Sequence, residues 1–225
     1  MIDPSDPDYI DTKLVKLGSG RMSPAFQELA NWIALSNPGV IVLNVYYDKF
    51  HFRDKTFLPR LSVIFETECE RNRFLLPDGI SFDPIHQAKI SAQFEKILES
   101  QSNTTFDTKE VLVIFEAFEP VARTEANWRV SKEQLAGVIE EIKSPEIWTI
   151  RQGFESAVFF FYTDEQLRSS EESGLRRSCA DAYASVLRPY DEFGYFQANP
   201  ISVTFDSKEN FETTYGGSWF YFDRR

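Results

Sequence analysis

The sequence predicts an α+β fold: a mainly antiparallel mixed sheet, helices packed mostly on one face, and a helix–hairpin–helix–strand order that occurs in both halves. Three observations carry this reading. Residues 157–162 are an unbroken apolar and aromatic run, with Phe159, Phe160 and Phe161 in succession. Successive strand residues point to opposite faces, so a strand with no polar face is covered on both sides. Thr163 and Gln166 follow at T-x-x-Q spacing, the reciprocal capping pattern that opens a helix. The same junction occurs earlier, where the apolar run 61–65 meets Thr67 and Glu70. Finally, 40–50 and 58–65 are strand-like runs separated by Arg53-Asp54-Lys55, which reads as a β-hairpin.

Taken in order, the chain opens on 1–22, read as an acidic N-terminal arm. Asp3, Asp6, Asp8 and Asp11 alternate with Pro4 and Pro7, and 14–17 reads as a short strand. Gly18-Ser19-Gly20 is a loop without the Gly-Lys-Ser/Thr element of a phosphate loop. The first α+β half, 23–120, starts with Ser23-Pro24, a helix start with Ser as N-cap. That helix ends at Asn37-Pro38-Gly39. After the hairpin and the Thr67 box, Asp83-Pro84 begins a helix that buries Ile90, Phe94, Ile97 and Leu98. Residues 110–118 are a strand that Pro120 stops.

The second half, 121–225, repeats this order. Ser131 and Gln134 form a capping box, and Leu135, Val138, Ile139 and Ile142 the core stripe behind it. Strands are predicted at 147–150 and 156–162, a helix from Leu175 to Leu187, a strand at 201–205 and a last strand at 218–222. Shared element order is consistent with internal duplication inside one compact domain, although identity between the halves is too low to prove a repeat.

Composition bounds the function. The 225 residues are 42% hydrophobic and 15% aromatic, with 21 Phe, which is the makeup of a folded core. The net charge of −11 makes phosphate-rich partners unfavourable, so neither nucleic acid nor an anionic membrane is expected. The first residues lack a basic n-region and an apolar h-region, so no signal peptide is expected. With two cysteines, Cys69 and Cys179, no disulfide framework is expected, and the expected location is cytoplasmic.

Catalytic residues cannot be assigned from the sequence. The two histidines, His51 and His86, have no recognisable nucleophile beside them, and no Ser lies in a G-x-S-x-G elbow. Cys69 is flanked by Glu68 and Glu70, which would disfavour a thiolate. Metal-ligand spacings are missing, so no metal and no cofactor are expected. The candidate binding residues are Glu66, Glu68 and Glu70 at the strand-to-helix junction, and Trp219 with Tyr221, which share one face of the last predicted strand. These features describe an acidic cytoplasmic binding protein, of the inhibitor or immunity type, that neutralises a basic protein partner. The alternatives are an enzyme with dispersed carboxylates and tyrosines in a cleft between the halves, and a structural homodimer module.

Overall fold

A computed structural model describes residues 3–51, 57–102 and 105–224. The Arg53-Asp54-Lys55 turn lies outside the described residues. The fold is α+β, as the sequence predicts, and the mixed sheet resolves into two sheets of three strands. The chain divides into two compact units, Met1–Val121 and Ala122–Arg225.

In the first unit, β1 (Val42–His51) pairs antiparallel with β2 (Phe57–Phe65), and β2 pairs parallel with β3 (Leu112–Ala117). A parallel pair needs a crossover, and α3 (Glu68–Asn72) with α4 (Pro84–Ser100) supplies it. Register sorts the side chains. Val45, Val63 and Phe115 lie on one face and pack against Leu29 and Ile33 of α2 (Pro24–Ser36) and Phe94 and Ile97 of α4. Asn44, Tyr46 and Asp48 of β1, with Arg60, Ser62 and Glu116, lie on the other face. Helix α1 (Pro7–Lys16) covers that polar face: Tyr9 and Thr12 are buried, and Asn44 Nδ2 donates to Thr12 Oγ1 at 3.2 Å.

The second unit has the same strand order. β4 (Ile147–Gln152) pairs antiparallel with β5 (Ser156–Phe161), and β5 parallel with β6 (Ser202–Ser207). The crossover is α7 (Asp164–Ser169) and α8 (Leu175–Leu187). β5 is the central strand, and Ala157 to Phe161 are all buried. Its Phe159 face packs against α6 (Lys132–Ile142) and α8, through Leu135, Val138, Cys179 and Tyr183. The capping boxes at Thr67, Ser131 and Thr163 are all formed, each hydroxyl accepting from the backbone N–H three residues on.

Three stretches differ from the sequence reading, and a fourth, which it left unassigned, is helical. The expected acidic arm and the short strand at 14–17 are replaced by α1 and its C-terminal turn; Pro7 at its start and Lys13 and Lys16 in its last turn suit a helix. Pro120 does not end a strand but sits in the first turn of α5 (Phe118–Trp128), where its missing N–H costs nothing. After β6, Ser207 caps α10 (Lys208–Tyr215), its hydroxyl accepting from Asn210 N at 2.8 Å. The last predicted strand is instead the helical turn α11 (Trp219–Phe222). Gly216 and Gly217 both take positive φ, 59° and 68°, which ends α10 in a left-handed cap rather than making a hairpin.

Helix α5 also supplies the second unit's main polar anchor. The fully buried Asn127 donates through Nδ2 to the carbonyls of Gly153, Phe154 and Ser156 at 3.0–3.1 Å. Its Oδ1 accepts from the Tyr183 hydroxyl at 2.7 Å, and burial pushes that hydroxyl's pKa up to about 12. Asn127 thereby holds the β4–β5 turn. Asn127→Ala removes three hydrogen bonds to that turn and the buried acceptor of the Tyr183 hydroxyl, and is expected to cost about 2–3 kcal/mol in urea melts. A loss below about 1 kcal/mol would show that the turn satisfies itself.

Candidate functional site

The described surface of the first unit contains a groove of about 330 Å³ between α1, the 17–23 loop, the start of α2 and the edge strand β1. The loop folds tightly onto the end of α1. Gly18 turns out of the helix at φ 74°, and Gly20 N donates to the Leu14 carbonyl at 2.8 Å. A Cβ on Gly20 would stand 2.9 Å from Val15 N, so only glycine allows this approach and the groove wall it forms. Leu14, Met22, Phe26 and Val45 give the groove apolar walls, and Asp11, Arg21, Asn44 and Tyr46 its polar groups.

The charges are unevenly engaged. Asp48 takes both ends of the Arg60 guanidinium, at 2.8 and 2.5 Å, and this carboxylate raises the arginine's pKa further. Asp11 and Arg21, by contrast, make no ion pair or hydrogen bond among the described residues. Asn44 Oδ1 accepts from Val45 N at 2.9 Å while its amide holds Thr12, so this side chain is fixed. The Tyr46 hydroxyl is held above its ordinary range by burial, then by Asp11, Asp48 and Asp8, with Arg60 opposing. Deeper on the same sheet face, burial raises the Glu116 carboxyl, the N-terminal ammonium opposes this, and the Asp8 carboxyl adds to the rise. Three carboxylates, Asp11, Asp48 and Asp8, thus act on the Tyr46 hydroxyl at the β1 side of the groove, against the Arg60 guanidinium. Asp11→Asn is expected to lower the Tyr46 pKa, read by following its ring resonances through an alkaline titration. An unchanged value would mean that Asp11 does not face the ring.

The sequence-predicted binding residues lie elsewhere and are engaged in the fold. Glu66 forms a two-oxygen ion pair with Lys16, at 2.6 and 2.9 Å. Glu68 pairs with Arg71 at 2.7 Å. Glu70 completes the capping box at Thr67 N and also accepts from Ile41 N at 3.1 Å. The three carboxylates alternate along the chain but serve three different contacts. Trp219 stacks on Trp148 at 6.0 Å and meets Phe160 edge-on at 5.3 Å, whereas Tyr221 is 65% exposed. The shared face that a strand would give them is lost in the helical turn.

The groups considered for chemistry are also placed. His86 Nδ1 is 2.8 Å from Asp83 Oδ2 at the start of α4, and the His51 ring lies against Phe57 at 3.9 Å. Cys69 is exposed and Cys179 buried; burial pushes the Cys179 thiol up to about 11, which keeps it protonated and inert. Among the described residues, no group of His, Cys, Asp and Glu is arranged to hold a metal ion, and no helix is long and apolar enough to cross a membrane. Comparisons with known protein families, with curated proteins and with solved structures found no match.

The sequence reading missed the groove because it took α1 for an arm. A signal was present: Asp6-Pro7 as a helix start, with Tyr9 and Thr12 one turn apart.

Proposed function

We propose that this protein is an acidic binding protein that takes a basic protein partner, of the inhibitor or immunity type, and that the groove between α1 and β1 receives a cationic part of that partner. The unpaired Asp11 carboxylate on the groove wall carries the reading: a cation placed there gains a counter-charge without breaking an existing ion pair. The Asp11, Asp48 and Asp8 carboxylates that act on Tyr46 support it from the β1 side. The net charge of −11 adds long-range attraction and raises the encounter rate with a basic protein. Two free thiols, one of them exposed, suit a cytoplasmic location.

The test is a titration of isotope-labelled full chain with an oligolysine peptide at low and at physiological salt. Amide shifts are expected to concentrate at Asp11, Arg21 and residues 44–47, and affinity to fall steeply with salt. Among the described residues, Arg21 is the one cation in the groove lining. Asp11→Asn is therefore expected to weaken binding and Arg21→Ala to tighten it. Shifts spread evenly over the surface, with neither variant mattering, would mean that the charge serves solubility alone.

A further inference from the structure

Helix α1 is the outer wall of the groove, and it is apolar on two sides. Tyr9 faces inward and stacks on Phe118 at 5.0 Å. Ile10, Leu14 and Leu17 stand at i, i+4 and i+7, which places them on one stripe. They are 46%, 43% and 49% exposed. A helix normally turns its apolar stripe to a core, and α1 presents a second one to solvent. Leu14 belongs to both stripe and groove, and Asp11 lies on the groove side of the stripe.

We propose that the Ile10–Leu14–Leu17 stripe and the groove together form a docking surface for an amphipathic basic helix of the partner, whose apolar face covers the stripe and whose Lys or Arg reaches Asp11. This rests on the reading of a basic partner given above. The geometry selects a helix, because a stripe with i, i+4, i+7 spacing is a ridge that another helix can pack against. An extended segment added to β1 would reach the groove but leave the stripe bare. Charge selects the partner's sign. A second copy of this chain, also carrying −11, is repelled, and so is an anionic membrane.

The experiment uses the full chain and a synthetic peptide of about five helical turns, with leucines on one face and lysines on the other. Its scrambled twin has the same composition and charge but no apolar stripe. The amphipathic peptide is expected to shift the resonances of residues 10–17 and 44–47, to gain helical circular dichroism on binding, and to bind about tenfold more tightly than its twin. Leu14→Ser is expected to abolish that advantage, whereas Leu35→Ser, at an exposed leucine on α2, leaves it intact. Thermal melts of both variants verify that the fold is kept. If the two peptides bind equally well at the groove, the helix proposal is overturned and the basic-partner reading stands. If neither binds there, both fall. A concentration-dependent dimer in sedimentation that Leu14→Ser dissociates would assign the stripe to a second copy and also overturn the proposal.

Discussion

A chain ending at residue 217 is expected to lose the fold of the second unit. Helix α11 is short, yet Trp219 and Phe222, three positions apart, point to the same side and cover the β5 face that α6 and α8 leave open. Trp219 lies 4.1 Å from the Phe211 ring, and Phe222 lies 5.1 Å from Phe160. Removing a buried large aromatic typically costs about 3–5 kcal/mol. Losing the buried Phe222 together with the half-buried Trp219 takes a large share of a domain's stability, about 5–15 kcal/mol. The truncation also bares Val158, Phe160 and Phe211 as a contiguous apolar patch. Loss of near-ultraviolet circular dichroism and early elution as aggregate are expected. Wild-type melting and elution volume would mean that α11 contributes nothing to the core.

Phe160→Ala tests the same core from the sheet side and is expected to cost about 3–5 kcal/mol in urea melts. The ring is fully buried and surrounded by other rings: Trp148 at 5.9 Å, Trp219 at 5.3 Å, Phe222 at 5.1 Å and Phe211 at 6.1 Å. Rigid aromatic neighbours cannot collapse easily into the space a benzyl group leaves, so the cost falls toward the upper end of that range. An unchanged slope with a lower midpoint is expected, since the denatured state is unaffected. A change below about 1 kcal/mol would mean that β5 is not packed on both faces.

The candidate site was less legible than the core. Glu66, Glu68 and Glu70 look like a cluster because they are near in sequence, but each carboxylate reaches a partner that sequence spacing does not reveal: Lys16, fifty residues earlier, then Arg71, and the backbone at Ile41. Asp11 shows the converse. It looked like one more acid in a solvated arm, and it becomes distinctive only because α1 docks beside β1 and leaves it unpaired on a groove wall.

Local patterns determined the α+β class, the antiparallel hairpin of each unit, the helix start at Ser23 and the three capping boxes, because each rests on interactions within a few residues. The burial of β5 was equally legible, since Phe159, Phe160 and Phe161 leave no side for water. Tertiary structure alone decided how the aromatic C-terminus folds. Trp219-Phe220-Tyr221-Phe222 has no polar residue to mark a period, so its pattern fits strand and helix alike. The helical turn places Trp219 and Phe222 on the uncovered ring of Phe160 and turns Phe220 and Tyr221 outward, where Arg224 covers the Phe220 ring at 3.8 Å. That choice depends on a surface sixty residues away in the chain, and contacts at such separation leave no trace in local spacing.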